Sequence, residues 1–410
     1  MDSASKAAKR SACGSAEMEP RSAARPESCQ PASARIYLDN ASTSWPKPPA
    51  AVEAMTRYLR EVGASPGRAA YRAAVEADRI VADVRRKRTD LFGGSDPRRM
   101  IFCHNCTDAL NMAIKGTLGE GDHVVTTMLE HNSVSRPLQA LADARLIELT
   151  RVPVSPGGFV DPDDISKAIR PNTRLIICTH ADNVLGRMQP LEEIGRLARR
   201  HETLFLADAA QTAGVMPISV ERMNIDLLAF PGHKSLLGPT GTGGLYVGDR
   251  ASLRPWREGG TGGDSASLTQ PHEYPFLLES GTLNTVGIVG LGAALETLNP
   301  ADTLAHERRL LSRLLDGIEE NRKVHPVGDP SPDKRVGTLS LVTDGLSPEE
   351  AADVLDESFG IAVRAGLHCA PYTHRALGTF PEGTVRISPG PVTTPRGIDV
   401  LIEALDQIMR

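Results

Sequence analysis

The chain has 410 residues and a net charge of −5, with lysines, arginines and acids interspersed. That length exceeds the size at which a single core stops growing and suits two domains. The mixed, mildly acidic charge argues against a nucleic-acid footprint or a polybasic membrane anchor, and no apolar run approaches the roughly 18 residues that span a bilayer.

Residues 1–34 are rich in Ala, Ser, Arg and Pro and lack the apolar core of a signal peptide. They read as a disordered tail or an over-long start, and Asp2, Glu17, Glu19 and Glu27 argue against a transit peptide. The folded body is expected from about Arg35. A short extended run at 36–38 leads through Asp39-Asn40-Ala41-Ser42 and a proline-bearing 45–49 into a helix near 52–62. Short apolar runs at 100–103, 123–128, 146–149, 175–180, 204–207, 227–230 and 244–247 then alternate with helical patterns. Strands separated by helices predict a mostly parallel seven-stranded sheet covered on both faces, in a large domain spanning 35–299.

From about Pro300 the pattern changes to a charged helix at 304–321, a strand at 337–342, a helix at 348–359 and a closing helix after Pro395. That composition predicts a smaller α+β domain over 300–410, with 35–50 packing against it. The six cysteines show no paired zinc-type spacing, so no metal site is expected and the chain reads as cytoplasmic with reduced thiols.

Ligands of open parallel sheets sit beyond the carboxyl ends of the strands. Polar residues gather there: Thr107, Glu130-His131-Asn132, 180–183, Asp208 with Gln211, and His233-Lys234. Lys234, in a Gly/Pro-bounded turn after a buried strand, is open to desolvation, which lowers an amine pKa and suits Schiff-base chemistry. Asp208 either pairs with a protonated ring nitrogen or caps a helix. Thr107 stands at a helix start, where a phosphate or a simple N-cap role is equally served. Cys369, in Arg364-Ala365-Gly366-Leu367-His368-Cys369-Ala370-Pro371, sits in a glycine-bearing loop that would be mobile and exposed, with Arg364 and His368 favouring its thiolate. Taken alone, each of these residues has an ordinary structural reading.

The order Asp208-Ala209-Ala210-Gln211 followed by Gly232-His233-Lys234 resembles the cofactor signature of aminotransferase class V, fold-type I pyridoxal-phosphate (PLP) enzymes, particularly the group II cysteine desulfurases and selenocysteine lyases. The resemblance runs from Tyr37 to the C-terminus. It implies that Lys234 carries PLP, Asp208 pairs with its ring nitrogen, Gln211 bonds its phenolic oxygen and His131 stacks on its ring. Thr107, Cys106 and His233 then face the phosphate, although relatives usually have threonine or glycine at Cys106 and often serine at Pro231. Thr282, in the 279–284 segment, resembles a residue that crosses from a partner subunit, implying a homodimer. Arg386 matches the arginine that grips the substrate carboxylate, with Asn183 and Arg364 in support, and Cys369 matches the sulfur acceptor. The implied reaction converts L-cysteine to L-alanine with a persulfide on Cys369, the sulfur passing to an acceptor protein. L-Selenocysteine cleavage, β-elimination, or a silent PLP-fold binding protein are the alternatives.

Overall fold

The computed structural model describes residues 35–67, 70–262 and 266–410. The tail expected over 1–34 lies outside the described residues. Residues 35–410 form one compact unit.

Its first layer system is built on seven strands: β2 (Met100–Cys103), β3 (Asp122–Thr127), β4 (Ile147–Val152), β5 (Thr173–Thr179), β6 (Leu204–Asp208), β7 (Leu227–Pro231) and β8 (Gly243–Val247). The order is β2-β8-β7-β6-β5-β3-β4, parallel from β7 through β4, with β8 antiparallel to both of its neighbours. The central strands are apolar on both faces because helices cover both. Along β5, Leu175 and Ile177 enter one core while Ile176 and Cys178 enter the other. Each fully buried Leu or Ile contributes about 1.5–3 kcal/mol relative to exposure.

The helix expected near 52–62 runs Pro49–Glu61, its start set by Pro48-Pro49. It packs with two helices that the periodicity did not reveal, Arg72–Leu91 and Thr285–Leu295. In Arg72–Leu91 the apolar stripe is diluted because two of its core-facing residues, Arg85 and Arg88, are arginines. Arg85 forms a bidentate pair with Glu279 at 2.7 and 2.8 Å, and Arg88 stacks 3.9 Å from the Phe102 ring.

The C-terminal part carries a second sheet, ordered β12-β13-β10-β9, from β9 (Val324–Pro326), β10 (Leu339–Thr343), β12 (Arg364–Gly366) and β13 (Thr384–Ile387). Its helix begins at Pro300 rather than 304, because the Asn299 side chain caps it and Pro300 suits its first turn, and it ends at Ile318. The helix Pro348–Phe359 is bounded by a Ser347/Glu350 capping box and by Gly360 in the left-handed region. At the N-terminal side, β1 (Ile36–Tyr37) pairs in parallel with β11 (Ile361–Ala362), and Leu38 joins the core of this second sheet.

Candidate active site

The carboxyl ends of β5, β6 and β7 surround a cavity of about 220 Å³ lined by Thr107, His131, Asn183, Asp208, Gln211 and Lys234 among others. Lys234 follows β7 by three residues. The turn is tight because Gly232 packs where a Cβ would lie 2.2 Å from Thr242 Oγ1. Burial, followed by repulsion from Arg386, lowers the Lys234 pKa to about 8.

Asp208 ends β6 and is buried; its Oδ1 accepts the Ala210 N–H at 2.9 Å and the Cys106 thiol at 3.5 Å. Burial raises its pKa above the usual carboxylate value. Gln211 is buried beside it and donates to the Ala41 carbonyl at 3.2 Å.

His131 caps the helix Asn132–Asp143, its Nδ1 accepting the Ser133 N–H at 3.0 Å. Desolvation, with the Lys234 and Arg364 charges, lowers its pKa to about 4, so the ring is neutral near pH 7. Thr107, in the first turn of Cys106–Thr117, lies 2.8 Å from Ser133 Oγ, which also lies 2.9 Å from His131 Nδ1. Ser133 therefore supplies a hydroxyl that sequence reasoning missed, although it stands two residues past His131. His233 lines the same cavity with Nδ1 buried and without a partner among the described residues, and desolvation lowers its pKa to about 4.

On the opposite wall Arg386 of β13 is buried, donating to Asp39 Oδ1 at 2.7 Å, Ser42 Oγ at 2.8 Å and the Asn183 carbonyl at 3.0 Å. Its Nε has no partner among the described residues. Arg364 pairs across the strand with Arg386 and also reaches Ser42, at 3.1 Å. Asp39 and Ser42 thus set both arginines; their only signal in the sequence was the polar run closing the first strand.

Cys369 lies at the rim, exposed, with its Sγ 3.7 Å from Arg364 Nη2. The loop was expected to be mobile, but its backbone is tethered: Asn183 Nδ2 donates to the His368 carbonyl at 2.6 Å and the Asn132 N–H to the Cys369 carbonyl at 2.8 Å. His368 and Cys369 both have positive φ, 47° and 58°, which turns their side chains apart. His368 is buried, its Nε2 3.1 Å from the Thr384 carbonyl and 3.0 Å from Thr384 Oγ1, and desolvation pushes its pKa far down. The expectation that His368 favours the Cys369 thiolate is therefore corrected: a neutral ring aimed at the interior supplies no charge there. Thr282, which the resemblance assigns to a partner subunit's site, lies within its own chain along two hollows with Glu279, Gly281 and Leu283, apart from the residues around Lys234.

Residues 36–401 match the aminotransferase class-V family model. The chain belongs to the aminotransferase class V family. Its relatives include a probable cysteine desulfurase of Methanothermobacter thermautotrophicus, 35% identical over 384 residues, 91% of this chain and 94% of the relative. A cysteine desulfurase of Salmonella dublin is 30% identical, covering 91% and 93%. Among solved structures, the apo cysteine desulfurase from Thermococcus onnurineus NA1 superposes with a TM-score of 0.86 at 31% identity, covering 92% and 94% of the two chains. The Escherichia coli cysteine desulfurase CsdA (S-sulfonic acid) gives 0.81 at 27%, covering 91% and 94%.

Enzymes of this family are generally PLP-dependent, and the residues present fit that group. A ring cation would compensate the buried Asp208 carboxylate, whose Oδ2 makes no hydrogen bond among the described residues. An anion would meet the start of the Cys106–Thr117 helix, the Thr107 and Ser133 hydroxyls and the unpartnered His233 Nδ1. Lys234 supplies the amine.

Proposed function

We propose that this chain is a cysteine desulfurase that binds pyridoxal 5'-phosphate at Lys234, takes L-cysteine to L-alanine and collects the sulfur as a persulfide on Cys369. The observation that carries this reading is a single cavity joining a lysine of depressed pKa, a buried carboxylate and two arginines, with an exposed cysteine in contact with one of those arginines.

Lys234 would carry the cofactor, Asp208 face its ring nitrogen, Gln211 its phenolic oxygen, and Thr107, Ser133 and His233 its phosphate, with Cys106 beside them. When bound, PLP supplies an electron sink for the pair released as the substrate Cα–H bond breaks. Lys234 Nζ is the base for that proton, and its lowered pKa leaves about a tenth of the amine neutral near pH 7, far more than an ordinary lysine. His131, neutral and held by its Ser133 bond, offers a flat uncharged face. The unpartnered Arg386 Nε, with Arg364 beside it, receives the substrate carboxylate, and Asn183 holds the Arg386 fork through its carbonyl.

Cys369 Sγ, beside Arg364, attacks the substrate sulfur. An S–S bond forms, the substrate C–S bond breaks, and the carbon takes up a proton to become the methyl group of alanine. Exposure of Cys369 leaves that sulfur open to an acceptor protein, and the unpaired thiols suit the reducing cytoplasm. The proposal extends to a homodimer, in which a second copy would bring its Thr282 to the phosphate end. Exposed Val52, Leu59, Tyr71, Val75 and Phe276 support such a pairing.

Incubating the purified protein with L-cysteine and a reductant, and quantifying alanine, sulfide and pyruvate together, tests the reading. Alanine matching sulfide is expected. Pyruvate in place of alanine would mean β-elimination, and turnover of L-selenocysteine alone would reassign the substrate.

A further inference from the structure

Cys106, placed above beside the phosphate end, has no bond or step of its own in that chemistry. Cys106 opens the helix Cys106–Thr117, and its Sγ lies 3.5 Å from Asp208 Oδ1. The same oxygen accepts the Ala210 N–H at 2.9 Å, whereas Oδ2 makes no hydrogen bond among the described residues. Asp208 is only 2% exposed and lines the cavity, so the unmatched oxygen is an acceptor held ready for a ligand donor.

We propose that Cys106 is a positioning residue for Asp208, its thiol fixing the rotation of the carboxylate so that Oδ2 is kept for the ring nitrogen of PLP. The inference rests on the reading of the site given above.

Three features support it. The thiol is a donor rather than a thiolate, because burial and then the Asp208 charge hold its pKa well above the ordinary value. A thiol is also a weak donor, so it orients the carboxylate while withdrawing less charge than a hydroxyl would. Finally, Asp208 has only one backbone donor on that oxygen, and one bond leaves the carboxylate free to rotate about it.

The test compares wild type with Cys106→Ala and Cys106→Ser. Titration of each apoprotein with PLP by calorimetry is expected to show roughly three- to tenfold weaker binding for Cys106→Ala. Cys106→Ser should return to within about twofold of wild type, since a hydroxyl restores a donor. In the loaded proteins, the pH at which the visible absorbance changes should move in Cys106→Ala by roughly half a unit or more. Apoprotein melting should be alike in all three, which separates positioning from packing. A readout without cofactor is the alkylation rate of Cys106, followed by mass spectrometry in the apoprotein. Asp208→Asn removes the second cause, after burial, that keeps the thiol protonated and should raise that rate. Cys106→Ala that binds PLP and titrates like wild type, or an alkylation rate unmoved by Asp208→Asn, would overturn the proposal. Wild type that binds no PLP would sink the reading of the site as well.

Discussion

Lys234 lines the cavity and Cys369 touches one of its lining arginines, Arg364, and the two stand on opposite kinds of ground. Lys234 is set by packing: a buried strand, a glycine with no room for a side chain, and surroundings dry enough to lower its pKa to about 8. Cys369 is set by tethers: it is exposed, and its position depends on hydrogen bonds from Asn183 and Asn132 to the loop backbone. A buried group is fixed by the density of its neighbours, and its chemistry comes from desolvation. An exposed group keeps access to partners, and its geometry hangs on a few bonds that can be removed one at a time.

Substitutions at the two places should therefore fail differently. Lys234→Ala should show the largest effect, losing PLP-linked visible absorbance together with alanine formation, by roughly a thousandfold or more in turnover. Cys369→Ser should separate the two properties: unchanged cofactor absorbance by spectrophotometry, with alanine formation from L-cysteine down about a hundredfold. A smaller effect probes the tether itself. Asn132 is the first residue of its helix, where proline is tolerated, and His131 before it already has φ −61° and ψ 156°. Asn132→Pro removes the N–H that holds the Cys369 carbonyl, together with a side chain that makes no hydrogen bond among the described residues. Turnover should fall roughly three- to tenfold, amide exchange around Cys369 should rise, and cofactor absorbance should stay the same.

How far the sequence carried this contrast depended on the kind of ground. Strands such as β2 and β7 were legible to within a residue or so, because a sheet covered on both faces leaves continuous apolar runs. Lys234, Asp208 and His131 were legible because chemistry collects at the ends of those strands. The helix Arg72–Leu91 was not, since arginines occupy core-facing positions there, Arg85 pairing with Glu279 far along the chain and both Arg85 and Arg88 stacking on Phe102. Nor was the direction of His368, because two consecutive left-handed residues send adjacent side chains opposite ways, which spacing cannot reveal. The Asp39 and Ser42 partners of Arg386 lie more than 340 positions away from it, beyond any local pattern.

The smallest expected effect concerns a buried acid behind the Lys234 wall. Glu130 is buried, with Oε1 bonded to Thr127 and Thr179 and Oε2 unpartnered, and burial raises its pKa from 4.5 to about 8. The folded state thus holds a proton that the unfolded state releases between those values, so this group's stabilisation is lost as pH rises through about 8. Glu130→Gln keeps an acceptor for both bonds and cannot ionise. Its apoprotein should gain stability relative to wild type as pH goes from 6 to 9, by roughly 1–3 kcal/mol, read as a growing difference in melting temperature. A constant difference across that range would place the titration elsewhere.

The division of labour between the packed lysine and the tethered cysteine is tested most directly by mapping sulfur on the protein. The loaded enzyme is given L-cysteine without reductant, digested, and each cysteine peptide weighed while alanine is counted. One added sulfur atom on Cys369, appearing with a matching amount of alanine, is the expected result; alanine formed with Cys369 unmodified would contradict the account.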